Sequence, residues 1–232
     1  NTTAGFSIVS YTGTGSTDTI GHGLGAKPSV ILVKKRNGSA NWYMYHHKNT
    51  SAPETDFLTL NSTAATSDNA NNWNDTEPAS SVFSVGASGT TNPSSGTMIA
   101  YCFAEKQGYS KFGSYTGNGN ADGPFVYTGF KPAWVMIKIT STTNDWEIHD
   151  NKREPFNEMN AILQPNLSDA ETPSSQNRQI DFLSNGFKLR NGNSQNNLSG
   201  GSFIYMAFAE SPFVTSSGIP TVGRWYEIFI DP

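Results

Sequence analysis

Apolar and polar positions along this chain fall into short runs of strand character, and the runs occur twice. Lys27-Pro28-Ser29-Val30-Ile31-Leu32-Val33-Lys34 reads as a turn followed by an apolar strand. Lys131-Pro132-Ala133-Trp134-Val135-Met136-Ile137-Lys138 reads the same way 104 residues later. Each proline fixes its own φ and pushes the preceding lysine toward extended geometry, so a strand starts directly after it. Runs without polar interruption suit a strand that is buried on both faces or central to a sandwich. Residues 30–33 and 134–137 are therefore the predicted central strands.

The pattern spreads outward from these two runs. Gly5-Phe6-Ser7-Ile8-Val9-Ser10-Tyr11 alternates as a first strand, and Gly108-Tyr109-Ser110 with Phe112-Gly113-Ser114-Tyr115 opens the second copy alike. Trp42-Tyr43-Met44-Tyr45-His46 aligns with Trp146-Glu147-Ile148-His149-Asp150. Period-2 geometry places Trp42, Met44 and His46 on one face, predicted to point inward, and leaves Tyr43 and Tyr45 outward, with Glu147 and His149 their counterparts. Phe83-Ser84-Val85 and Phe187-Lys188-Leu189 read as strands that turn through residues 88–96 and 191–201, forming hairpins into closing strands at 98–104 and 203–209. Long polar segments at 50–80 and 151–177 hold short apolar pieces, Phe57-Leu58-Thr59-Leu60-Asn61 and Met159-Asn160-Ala161-Ile162-Leu163, predicted as edge strands. No stretch has helical periodicity beyond a turn or two.

Tyr11-Thr12-Gly13 returns as Tyr115-Thr116-Gly117, and Ala100-Tyr101-Cys102-Phe103-Ala104-Glu105 resembles Tyr205-Met206-Ala207-Phe208-Ala209-Glu210, where the phase has slipped to 105. Self-similarity at a fixed period is the mark of a tandem duplication. The expected fold class is all-β, as two related β-sandwich-like domains of jelly-roll or lectin-like kind, each with its own core. Residues 1–106 form the first, 107–212 the second, and 213–232 a linker with one more strand, Arg224-Trp225-Tyr226-Glu227-Ile228-Phe229-Ile230. That strand is expected to pair either with a neighbouring subunit or with the rest of the chain.

Composition narrows the function. Charged residues are 15% of the chain, and Asn, Ser, Thr and Gly dominate the remainder, yet aromatics reach 12% and fall in the alternating runs, so the chain is expected to fold. A net charge of −4 with 15 basic residues gives no cationic field for phosphates, which argues against nucleic acid and against an anionic membrane surface. No apolar run approaches the roughly 18 residues of a membrane span. The chain begins at Asn1, as expected of a processed product, an excised fragment or part of something longer. Cys102 stands alone in an apolar run and is expected in the core.

Candidate chemistry is sparse. His46 and His47, beside Tyr45, are the nearest approach to a metal or acid/base cluster, but adjacent strand residues point to opposite faces. Asp145 and Glu147, with Asp150 nearby, share a face at i, i+2, roughly 6.5–7 Å apart, inside the range of inverting glycosidase pairs; copy one has Asn41 and Tyr43 there. His22, between Gly21 and Gly23, could stand exposed on a turn. The Gly-rich pieces lack the Gly-Lys-Ser/Thr of a phosphate loop. Asp68-Asn69-Ala70-Asn71-Asn72-Trp73-Asn74-Asp75 is oxygen-rich but lacks the Gly and Glu of a calcium loop. No cofactor is expected. Trp73, with Tyr43, Tyr45 and His47 on the outward face of a nearby strand, has the makings of a sugar-stacking patch: aromatic faces flanked by short amides. The alternative is that Trp73 pins its long loop to the wall. Trp42, Trp134 and Trp146 are expected in the core.

Gly-Tyr-Ser…Tyr-Thr-Gly at 108–117, Lys-Pro-x-x-Val-x-Ile-Lys at 131–138, Trp-x-x-x-Asp at 146–150 and Ala-Phe-Ala-Glu-Ser-Pro-Phe at 207–213, with weaker partners in copy one, form a recognisable set. In these signatures the chain resembles a repeat found toward the C-terminal ends of tail and tail-fibre-like proteins of marine tailed bacteriophages. The likeness covers residues 5–213 and does not extend to the strand at 224–230. It implies a non-enzymatic virion surface protein that is extracellular and oligomeric, partnered by other virion proteins and contributing to attachment on a bacterial surface glycan. It offers no catalytic residues to carry over. A purely structural capsid or fibre decoration, or a polysaccharide depolymerase, is the alternative.

Overall fold

The computed structural model describes residues 1–171 and 177–211. Its strands in chain order begin with β1 (Phe6–Thr12), β2 (Asp18–Gly21), β3 (Val30–Lys35), β4 (Tyr43–His46), β5 (Asp56–Thr59), β6 (Ser67–Asp68), β7 (Val82–Val85) and β8 (Thr97–Phe103). They continue with β9 (Ser110–Thr116), β10 (Phe125–Tyr127), β11 (Pro132–Ile139), β12 (Glu147–Asp150), β13 (Ile180–Leu183), β14 (Gly186–Leu189) and β15 (Ser202–Ala209). Single-turn helices α1 (Ala70–Trp73) and α2 (Ser194–Asn197) interrupt them. The fold is all-β, as the alternation predicts.

The strands form four antiparallel sheets: β2-β7, β1-β8-β3-β4-β5-β6, β12-β11-β15-β9 and β10-β14-β13. Buried side chains show how they stack. Ile20, Phe83 and Val85 meet Ile31, Val33, Tyr45, Met98 and Cys102 between the first two sheets. Val126, Phe182, Phe187 and Leu189 meet Val135, Ile137, Phe203 and Tyr205 between the last two. A third cluster joins the halves, with Val30, Met44 and Leu58 against Phe112, Met136, Trp146, Ile204 and Met206. The chain is therefore a four-layer stack whose two inner sheets are covered on both faces. This is why the runs in β3 and β11 carry no polar interruption. Two cores were expected; the shared seam is the addition.

Order and register run in step between the halves. β1-β8-β3-β4 in one is matched by β9-β15-β11-β12 in the other. Tyr11 donates its hydroxyl to the Thr91 carbonyl and Tyr115 to that of Asn196. The buried Asn92 clamps the turn after β1, and Asn197 clamps the turn after β9, each through several backbone groups. The Tyr-Thr-Gly motif belongs to this device, because a β-carbon at Gly13 or Gly117 would stand 2.2 or 2.3 Å from the carbonyl oxygen of Pro93 or Leu198.

The predicted hairpins do not form. β7 pairs with β2 and β14 with β10 and β13, while β8 and β15 lie one layer inward beside β1 and β3, and β9 and β11. The segments between them, where Thr91, Asn92, Asn196 and Asn197 are buried, carry the chain from an outer to an inner sheet. Phe57-Leu58-Thr59 falls in β5, whereas the 159–163 piece makes only isolated bridges, Met159 to Ile180 and Leu163 to Ile148. The strand expected at 224–230 lies outside the described residues.

Hydrogen bonds cross the seam as well as apolar contacts. Trp146 donates from Nε1 to the Thr59 carbonyl at 3.1 Å, and Lys138 donates from Nζ to the carbonyls of Thr63 and Asn144 at 3.0 and 2.6 Å. Lys138 is fully buried, and burial lowers its pKa to about 8, against an opposing pull from Asp145. The unfolded chain holds this proton until about pH 10.5. Between about pH 8 and 10.5 the unfolded state thus binds more protons, and the Lys138 contribution makes stability rise with pH by up to ~3 kcal/mol. Urea titrations across that window are expected to show the rise, and Lys138→Met to flatten it.

Candidate functional site

The predicted sugar patch is not a surface. Trp73 is 2% exposed and Tyr45 fully buried, their rings edge to face at 6.0 Å, and the indole Nε1 donates to the Asp56 carbonyl at 3.0 Å. The Asn/Asp tract folds into α1 with Asn69 as N-cap, its side chain accepting from the Asn71 amide, which turns Trp73 inward under the strands. The pinning alternative describes Trp73. Tyr43 is half-buried and packs its ring 4.4 Å from Phe57. His47, also half-buried, points Nε2 at the Phe112 carbonyl at 2.7 Å, with Glu105 3.7 Å away. The face carrying Tyr43 and Tyr45 was expected outward, but the β2-β7 layer and α1 cover it.

The other candidates are also drawn into packing. His46 is 1% exposed in the seam, accepts at Nδ1 from the Lys48 amide and lies 3.2 Å through Nε2 from the Tyr205 carbonyl. His22, expected on an open turn, is buried with the same arrangement: Nδ1 accepts from the Leu24 amide and Nε2 meets the Ala79 carbonyl. Of the tryptophans expected in the core, Trp146 is buried, whereas Trp42 and Trp134 are half-buried, Trp42 lying beside the Tyr101 ring and under the Lys34 ammonium at 5.8 Å. Cys102 is a buried free thiol whose pKa burial raises to about 12, an inert core residue.

The carboxylate pair is the candidate with most chemistry. Glu147 and His149, expected outward, are fully buried between the last two sheets. Glu147 takes Arg178 Nη1 at 3.3 Å on one oxygen and Asn196 Nδ2 at 3.0 Å on the other, with His149 Nε2 at 3.6 Å. Burial, with the nearby Glu147 carboxylate as the smaller cause, holds the Tyr115 hydroxyl well above the usual phenol range. Asp145 receives Asn166 at 2.7 Å and Gln195 at 3.1 Å. The two carboxylates are thus spent on holding β12, α2 and the 166 turn together, and Glu147 has no solvent face from which to reach a glycosidic oxygen. Asp150 pairs with Arg153 at 2.5 Å, and although partial burial opposes it, these hydrogen bonds hold the carboxyl below its usual range.

A concave feature that sequence reasoning missed lies at one end of the seam. A pocket of about 230 Å³ is lined by Phe6, Phe103, Tyr109, Ser110, Phe112 and Phe208. Phe103 and Phe208 occupy corresponding places in the two closing strands and face each other at 6.2 Å. Read singly, each is one apolar residue of a closing strand; their matching places in Ala100–Glu105 and Tyr205–Glu210 were the available signal. The rings meet edge to face, as Phe103 with Phe112 and Phe112 with Phe208 do, so the pocket presents ring edges more than open faces. It is an apolar slot between β1 and β9, each an edge strand among the described residues.

The comparisons with known proteins bear on the chain as a whole. A family model described as a domain of unknown function, DUF7483, matches residues 1–212. The chain belongs to this family. The DUF7483 match spans all four sheets and stops before the strand predicted at 224–230. No curated protein and no solved structure matches the chain.

Proposed function

We propose that this DUF7483 chain is a non-enzymatic surface module of a bacteriophage virion, of the tail or tail-fibre-like kind, that contributes to attachment on a host-surface glycan. The observation that carries the reading is the condition of the polar groups. The carboxylates that would serve a depolymerase are tied into packing, with Glu147 enclosed, while an Asn/Ser/Thr/Gly-rich surface with little charge covers a rigid β stack. The signature likeness at 108–117, 131–138, 146–150 and 207–213 supports the virion setting, and the matched strand orders and asparagine clamps support a duplication, with 1–106 and 107–212 as its two units. The extracellular location and the oligomeric assembly with other virion proteins belong to the same proposal.

One observation favours the purely structural reading. The aromatic slot lies between two edge strands, β1 and β9, and such an edge with an apolar slot suits a neighbouring protein as well as a sugar. Incubating the purified chain with host-type surface polysaccharide, and following both retention and release of shortened sugar, separates the readings. Retention without cleavage is the expected result. Cleavage would overturn the non-enzymatic reading, and absence of both would favour the structural part.

A further inference from the structure

The outer sheet of the second half, β10-β14-β13, carries two aromatic side chains that stand largely exposed. On β10, Val126 points into the core, while Phe125 and Tyr127 point outward and are 45% and 65% exposed. Two residues apart on a strand, they stand about 6.8 Å from each other on one face. Neither ring has an aromatic partner among the described residues. Across the ladder Phe125 stands opposite Lys188 and Tyr127 opposite Gly186. A β-carbon at this glycine would stand 2.1 Å from the Val126 carbonyl oxygen and 3.0 Å from the Phe125 ring, so the ring lies over the glycine while remaining 45% exposed. In the first half, β2 holds the same place against β7, and there Thr19 and Gly21 face outward opposite Ser84 and Val82. The matching strand is thus built without aromatics at these positions, and it faces Val82 where β10 faces Gly186.

The surroundings select the ligand. Lys188 is paired with Asp122 at 2.8 Å and also donates to the Gly123 carbonyl, and Arg190 is paired with Asp181 at 3.3 Å. The rim is polar but internally compensated, which disfavours a strongly anionic ligand and leaves donors and acceptors for hydroxyl groups. Size decides against a protein partner. Two partly exposed rings offer about 200 Å² of apolar surface, against roughly 800 Å² per partner in a stable protein interface. One or two pyranose rings need no more than that.

We infer that the outer face of β10 is a carbohydrate-stacking platform, in which Phe125 and Tyr127 take the apolar faces of successive sugar units of a neutral polysaccharide and the Lys188–Asp122 pair meets their hydroxyls. The inference rests on the attachment reading and names its contact site. The test is affinity electrophoresis of the whole chain through gels containing dextran, laminarin, agarose or mannan, all neutral, with Phe125→Ala/Tyr127→Ala beside the unaltered protein. Both side chains are exposed, so the double variant is expected to keep its melting temperature within a degree or two. Retardation in at least one gel, weakened about tenfold or more in the double variant, is the expected result. Equal retardation of both proteins overturns the platform while leaving glycan attachment standing. No retardation of the unaltered protein in any gel overturns both.

Discussion

Replacing Trp146 with alanine is expected to lower the unfolding free energy by about 3–5 kcal/mol, the range for deleting a large buried aromatic. The indole is 1% exposed at the centre of the seam and has Met44 and Leu58 of the first half and Met136 and Met206 of the second in its cluster. Its removal leaves a cavity bordered by both halves, and the Thr59 carbonyl loses its donor. For a chain of this size the change corresponds to a fall in Tm of roughly 6–20 °C. Because the seam belongs to both halves, the unaltered chain is expected to unfold in one transition, and loosening the seam should weaken that coupling. Trp42→Ala is the internal control, since Trp42 is half-buried beside Tyr101 and under the Lys34 ammonium and is expected to cost less than half as much. Urea unfolding followed by circular dichroism reads both. A loss below 1 kcal/mol for Trp146→Ala would mean that the halves stand independently and the seam is only a contact.

The same seam explains what the sequence could disclose. Proline followed by an uninterrupted apolar run marks β3 and β11 because a strand covered on both faces has no use for polar residues. Alternation in β4 assigns Met44 and His46 to one face and Tyr43 and Tyr45 to the other, and that assignment holds. Whether a face is covered is a different matter, set by strands far away in the chain: β2 and β7 over Tyr45, β13 and β14 on the side of His149. Strand partners were hidden for the same reason. Phe83-Ser84-Val85 satisfies its alternation equally well in a hairpin with β8 or in a separate layer with β2. Only the buried Thr91 and Asn92 in the intervening turn distinguish the two, because a hairpin tip would leave such groups in water.

Site residues were less legible than strands. Trp73 among amides has the composition of an exposed sugar site, but one helical turn capped by Asn69 rotates it inward. Phe125 and Tyr127 have the composition of a core strand, yet β10 is short, outermost and covered on one side only. Both places follow one rule: local pattern gives side-chain direction relative to neighbours, while solvent is assigned by the layer above. Comparison of the halves was the stronger guide, since Phe125 and Tyr127 stand where Thr19 and Gly21 do beside a matching inward pair, Val126 with Phe187 and Ile20 with Phe83.

Acid is expected to weaken the fold through His46. Burial is the first cause of its depressed pKa, with smaller contributions from the positive charges that His47 and Lys48 bring near it, and the value falls to about 3 despite the opposing hydrogen bond at the Tyr205 carbonyl. The Lys48 amide donates to Nδ1, so the hydrogen sits on Nε2 and bridges to β15, and protonating Nδ1 would destroy the Lys48 contact. Among the described residues no carboxylate acts on the ring to offset a second proton. The unfolded chain protonates near 6.5 and the folded chain only near 3, so the unfolded state binds more protons throughout that interval. The His46 contribution is therefore fully present above about pH 6.5 and is lost as pH falls toward 3, a change of ~5 kcal/mol from this residue alone. His47, whose pKa burial also lowers against the pull of Glu105, bends the profile in the same direction. Unfolding free energies measured at intervals from pH 7 to 4 should decline steadily, and His46→Gln, which keeps a donor and an acceptor but cannot titrate, should remove most of the slope. A profile flat to pH 4 in the unaltered chain would show that the seam admits a charged imidazole, and with it that the four layers are less tightly closed than their packing implies.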